Sequence, residues 1–330
     1  MNPMNTSASR SLLLCRAFLP LGGFLCLAAA PGSATVTAPP GFHLIWHDEF
    51  DGPEVDRTKW DFDAGTGYYV PAAEGKPGFW VNGWGNDELE CYTDRHANAY
   101  VAGGALHIRA VKEDYKGGSY TSARLRTGGK GELPLFVHRY GRFEFRAKLP
   151  AGQGYWPALW LLPQDQAYGG WAASGEIDIL ENKGSQPDVV QGTIHFGGSY
   201  PKNAWWGQEY RLPKGGTATD WHVYALDWEP GRLRWSVDGV VFATRDVWWS
   251  KTGDAANRWP APFDKPFYIV MNLAVGGRFG GNPDATTKFP GEMLVDYVRV
   301  FDRDGGPGDV APIGHGSATD GSLVRPPASR

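Results

Sequence analysis

From about residue 40 onward, apolar and polar residues alternate one by one in strand-length segments, and this period of two is what most limits the folds open to the chain. "ALHIRAV" (Ala105 to Val111), "GRFEFRAKL" (Gly141 to Leu149) and "VDYVRVF" (Val295 to Phe301) each turn apolar side chains to one face and polar ones to the other. "RLRWSVDGVVFATR" reads as a hairpin, because Asp238-Gly239 supplies a two-residue turn whose positive φ angles match the twist of its strands. The 45 Gly and 25 Pro fit a chain of many turns, and no helical spacing persists over any length. Strands with one apolar face bury it by stacking two sheets. The fold is therefore expected to be all-β, an antiparallel β-sandwich over residues 38–303.

The two ends read differently. Arg10 and Arg16 precede the apolar run "AFLPLGGFLCLAAA", and small residues follow at Ala28, Ala30 and Ala34. This is the pattern of a signal peptide over residues 1–34, cleaved after Ala30 or Ala34, for a secreted or periplasmic protein. The run is too short, and too broken by Pro20 and glycines, for a membrane span, so the mature form is expected to have no membrane partner. Residues 304–330, rich in Gly, Pro and Ser, bury too little to offset their ordering entropy and are expected to be a disordered tail. Cys15 and Cys26 fall in the signal, which leaves Cys91 alone and the core to hold the fold. A net charge of −4 with no basic stripe argues against a nucleic-acid partner. A monomer is expected.

The chemistry gathers in "GEIDILEN", Gly175 to Asn182. In a regular strand Glu176 and Asp178 share a face, and Glu181, five positions on from Glu176, turns to the other. One extra residue after Asp178, a β-bulge, returns Glu181 to the acidic face. Four effective steps of ~3.3 Å and two side chains reaching inward by roughly 4 Å then leave about 5 Å between the glutamate carboxyls. A gap of about 5–5.5 Å suits a retaining glycosidase, in which one carboxylate attacks the sugar and the other is acid and then base. Asp178, between them, tunes their proton affinity. A solvated acidic edge, or a calcium or magnesium site, satisfies the same three residues. Just upstream, Trp156 and Trp160 stand four apart on one strand face, placed to stack on sugar rings, and His195 is a third candidate.

The blocks "IWHDEFDG", "GWGNDELECYT", "YTSARLRT", "YGRFEFRAKLPAGQGYWPALWLLP", "GEIDILEN", "GTIHFGG", "DWHVYALDWEPGRLRWSVDG", "PFYIVMNLAVGG" and "FPGEMLVDYVRVF" together resemble glycoside hydrolase family 16, laminarinase-like branch. The resemblance covers nearly all of the expected domain. It implies a concanavalin-like jelly roll with Glu176 as nucleophile, Asp178 as its assistant and Glu181 as acid/base, in the six-position form of the motif that carries the extra residue. It also implies Asn82, Arg142, Trp156, Trp160 and His195 as cleft residues, no catalytic cofactor, and a structural calcium near Glu49, Gly104 and Asp296. The implied activity is endo-hydrolysis, with retention, of internal β-1,3 or mixed β-1,3/1,4 bonds in glucans such as laminarin. A galactan such as agarose as substrate, a transglycosylase, and a non-catalytic glucan-binding module are the alternatives. Two departures stand out: the segment from Asp63 to Val81, longer than is usual before "GWGN", brings Tyr68, Tyr69, Phe79 and Trp80, and Asp87 and Cys91 replace a more usual Asn and aromatic.

Overall fold

The computed structural model describes residues 36–70, 72, 77–129, 131–250 and 258–306. The expected signal peptide and residues 307–330 of the expected tail lie outside them. The chain divides between Thr37 and Ala38, and the strands all belong to the second unit.

Two antiparallel sheets carry the fold. One has eight strands, in the order Val240–Arg245, Arg232–Val237, His222–Glu229, Gly141–Lys148, Gly291–Arg303, Ala105–Ala110 and Ala99–Ala102, with Phe42–Asp48 also paired to Gly291–Arg303. The other has seven, in the order Asn203–Arg211, Val189–Gly197, Glu176–Glu181, Tyr155–Pro163, Phe267–Val275, Arg124–Arg126 and Asp61–Asp63. The all-β reading holds, with a short parallel pair of strands, Glu90–Tyr92 beside Tyr120–Ser122, one α-helical turn at Gly277–Gly280 and two 3-10 turns at Gly83–Gly85 and Pro213–Gly215 among the described residues. Asp238 and Gly239 take φ of +49° and +79°, as the two-residue hairpin turn requires. Asp304 still bonds to the Gly41 carbonyl and to His43, so the first residues of the expected tail belong to the sheet edge.

Alternation places the core. Phe143, Phe145 and Ala147 are fully buried while Arg142 and Arg146, at alternate positions, point away, and the seven-stranded sheet answers with Leu159, Leu161, Ile177, Ile194 and Met271. Each such large apolar side chain stabilises the fold by roughly 1.5–3 kcal/mol. Cys91 is buried and free, a small apolar core residue. Trp235 crosses between the sheets, and its indole Nε1 donates to the Asp178 carbonyl at 2.9 Å. It packs so closely on Gly192 that a Cβ there would meet its Cδ1 at 2.5 Å. The sandwich thus braces the acidic strand from behind.

Candidate active site

The strand Glu176–Glu181 holds the bulge that the spacing requires. Against Tyr155–Pro163 its register runs Trp160 to Asp178 and Leu159 to Leu180, which leaves Ile179 as the surplus residue. Against Val189–Gly197 it shifts between Asp178, opposite Thr193, and Glu181, opposite Gln191. Ile177, Ile179 and Leu180 are buried on the core side. Glu176, Asp178 and Glu181 therefore share the face turned away from the core.

Each acid has its own partners. Glu176 Oε2 accepts from Trp171 Nε1 at 2.7 Å, and its Oε1 lies 3.6 Å from His195 Nε2. The same His195 nitrogen is 3.4 Å from Asp178 Oδ2, an atom that is buried and has no hydrogen-bond partner. Glu181 Oε1 accepts from Trp156 Nε1 at 3.1 Å and Oε2 from the Thr193 hydroxyl at 3.0 Å. His195 is placed by register, directly opposite Glu176. A small pocket beside Glu181 is lined by Lys183, Gln191, Glu209 and Phe279.

Burial raises the proton affinity of all three carboxyl groups. Desolvation, and then the Asp178 charge, push Glu176 up to about 8, against the pull of His195 and the Trp171 donor. Desolvation and Glu181 raise Asp178 well above the usual carboxylate range. Desolvation also raises Glu181, opposed by His195, Thr193, Trp156 and Lys183. Three buried acids this close cannot all ionise. Asp178 is the one without a donor on its buried oxygen, so the first proton belongs there, and its presence removes the second-largest cause of Glu176's upward shift.

Trp160 is held from its far edge. Its Nε1 donates to Asn272 Oδ1 at 2.7 Å, and Asn272 Nδ2 donates to the Tyr92 hydroxyl at 2.9 Å. The Arg124 guanidinium lies 4.7 Å from the ring centroids of both Trp160 and Trp84, while its Nε pairs with Asp63 at 2.9 Å. Trp160, Arg124 and the buried Trp84 thus pack as a row beside the acids.

Comparison with known proteins agrees with this geometry. The profile of "Glycosyl hydrolases family 16" matches residues 86–299. This chain belongs to family 16. It is 46% identical over 281 residues to "Glucan endo-1,3-beta-glucosidase A1" of Niallia circulans, covering 82% of this chain and 39% of that protein, so it spans about two fifths of that relative's length. It is 43% identical to "Beta-glucanase" of Rhodothermus marinus, covering 82% of this chain and 88% of that protein. Among solved structures, the laminarinase catalytic domain of Thermotoga maritima MSB8 superposes with a TM-score of 0.65 at 38% identity, covering 79% of this chain and 98% of that one. The family 16 jelly roll is thereby shown for this chain.

Not every residue expected at the cleft of a family 16 chain is there. Arg142 is a correction: it lies on Gly141–Lys148, in the sheet that does not carry the acids, and points away from the core into Glu144 and Asp227, each at 2.9 Å. Arg124, from "YTSARLRT", is on the acid-bearing sheet and packs against Trp160. Asn82 ends the strand Phe79–Asn82, next to the turn that carries Trp84. Residues that the motifs did not single out are Trp171, Thr193, Asn272 and Arg124. The expected calcium residues do not offer a dication free carboxylates: Arg299 grips both oxygens of Glu49 at 2.9 and 2.7 Å, and Arg146 holds Asp296 at 2.8 Å. Gly104 serves the turn between Ala99–Ala102 and Ala105–Ala110, at φ +74°. The carboxylates of Glu49 and Asp296 are thus already paired, and Gly104 has only its backbone carbonyl to offer an ion.

Proposed function

We propose that this family 16 chain is a retaining endo-hydrolase of internal β-1,3 bonds, or of β-1,3 and mixed β-1,3/1,4 bonds, in glucans such as laminarin. The observation that carries this reading is the bulge at Ile179, which sets two glutamates on one face around a buried aspartic acid. Glu176, ionised once Asp178 holds the proton, attacks the anomeric carbon while Glu181 gives its proton to the departing glycosidic oxygen. Glu181, now a carboxylate steadied by the Trp156 and Thr193 donors, then takes a proton from water, whose oxygen displaces Glu176 and releases the sugar with its original configuration. Asp178 and His195 position and tune Glu176, and Trp156 and Trp160 supply faces for sugar rings. The names of the relatives support a β-1,3-glucan over a galactan. The three acids together disfavour a purely binding module.

The N-terminal pattern supports export, and among the described residues no helix is long and apolar enough to cross a membrane.

The test is digestion of laminarin, lichenan, agarose and xyloglucan with the products sized, and proton NMR of the first anomer formed. We expect internal cleavage of laminarin and a β-anomer first. An α-anomer first overturns retention, products longer than the starting oligosaccharide show transfer, and no new reducing ends from either glucan overturns the reading.

A further inference from the structure

The strands Gly67–Val70 and Phe79–Asn82 form a two-stranded hairpin pairing Tyr68 with Val81, Tyr69 with Trp80 and Val70 with Phe79. Four of these residues, Tyr68, Tyr69, Phe79 and Trp80, are large aromatics between 44 and 59% exposed. A lone pair of strands is marginally stable in water, and a surface this rich in uncovered rings marks a place where something binds. By pairing, Tyr68, Val70, Phe79 and Val81 share one face, while Tyr69 and Trp80 occupy the other. The Tyr68 face adjoins the residues packed beside the acids. Its ring lies 6.2 Å from Trp84, and Trp84 joins Trp160 through the Arg124 guanidinium between them. The charges of Arg124 and Glu176 both reach the Tyr68 phenol, opposing and adding to the upward push of its burial.

We infer that this hairpin face, carrying Tyr68 and Phe79, is a further binding site for the same neutral glucan chain, beside the acid-bearing face; the inference rests on the glucanase reading. Two observations select the occupant. Tyr68 packs on the buried Trp84, which Arg124 joins to Trp160 beside the acids, so the face stands next to the place where the glucan is cut. The two strands, Gly67–Val70 and Phe79–Asn82, also contain no charged residue, which suits the apolar face of an uncharged sugar and gives no purchase to a charged peptide or an anionic lipid surface. Stacking of this kind rewards polymer length and leaves short substrates unaffected.

The experiment compares wild type, Phe79→Ala, Phe79→Leu, Phe79→Trp and Tyr69→Ala on long laminarin and on an aryl β-1,3-glucobioside too short to reach the hairpin, with melting curves to show that each variant folds. Phe79→Ala is expected to lower kcat/KM on laminarin by about three- to tenfold, mainly through KM, and to leave the glucobioside within twofold. Phe79→Leu, which keeps apolar bulk without a ring face, should show the same selective loss, Phe79→Trp should retain the polymer rate, and Tyr69→Ala should change neither substrate. An unchanged chain-length profile, equal losses on both substrates, or a Tyr69→Ala loss matching Phe79→Ala overturns the proposal. Self-association that Phe79→Ala abolishes, with laminarin kinetics intact, also overturns it, in favour of a contact between copies. A folded wild type that cuts neither glucan substrate overturns the underlying glucanase reading, whereas normal cleavage with an unaltered Phe79→Ala profile overturns the hairpin site alone.

Discussion

Replacing Glu176 by glutamine should stabilise the folded protein while abolishing its activity. Its carboxyl is raised from 4.5 to about 8, with burial the first cause and Asp178 the second. A carboxyl group raised on folding binds its proton more tightly in the native state. It therefore adds no penalty below the unfolded value of 4.5, an increasing one as pH climbs, and the full one above about 8. From 4.5 to pH 7, at about 1.4 kcal/mol per pH unit, the ceiling is roughly 3 kcal/mol. A proton on Asp178 removes part of this, which leaves about 1–3 kcal/mol. Glutamine keeps an oxygen to accept from Trp171 and carries no charge to desolvate. With a urea slope of about 3 kcal/mol per M, the midpoint of Glu176→Gln should rise by about 0.3–1 M at pH 7 and match wild type at pH 4.5. Urea titrations at 25 °C and both pH values measure it. An equal or lower midpoint at pH 7, or a gain of the same size at pH 4.5, refutes the idea that burial of this charge costs stability.

The same geometry bears on other substitutions. Glu181→Ala should lose more than about 10³-fold in kcat/KM on laminarin yet still form the glycosyl-enzyme from aryl glucosides whose leaving group needs no proton; pre-steady-state release of the phenol checks this. Trp156→Phe removes a donor that lowers Glu181, so the alkaline limb of the pH–rate profile should move upward, a shift read directly from kcat against pH. Arg142→Ala should leave kcat/KM within about twofold and reduce stability by about 1–3 kcal/mol, since Glu144 is left with Tyr297 and Asp227 with the more distant Arg234. Arg124→Ala, in contrast, should raise KM for laminarin by at least about fivefold, because two indoles lose the cation packed between them.

The alternation of "GRFEFRAKL" reveals that Phe143 and Phe145 face the core and Arg142 does not, but parity within one strand is silent about which of two sheets the strand joins. That is why Arg142 reads as a cleft residue from its motif and stands on the opposite side of the sandwich. Arg124 has the same local pattern, in "SARLRT", and only its pairing with Phe267–Val275 distinguishes it. The bulge is legible because a single strand contains the whole problem: three acids, a fixed period and one residue too many. The hairpin turn at Asp238-Gly239 is legible for the same reason. Asn272 lies 112 residues from Trp160 and Thr193 stands on the strand after the acids, and the hydrogen bonds of both depend on register that no local signal carries. Trp171, five residues ahead of Glu176, is near enough to find, but its loop geometry has no period to read.

The surplus residue at Ile179 makes the acid-bearing strand respond unequally to gain and loss of length. Losing that residue leaves a five-position stretch in which plain alternation keeps every carboxyl on the solvent side and the two glutamates still four steps apart, with Ile177 and Leu180 directed inward. Adding a residue at the same point has no equally good outcome. If the kink persists, the terminal glutamate exchanges places with an aliphatic neighbour and is driven into the hydrocarbon interior. If the strand straightens instead, the glutamates stand six steps apart, about 6–7 Å further than before, with an aliphatic side chain set between them on the wet face. A single-codon deletion there is therefore a milder lesion than a single-codon duplication.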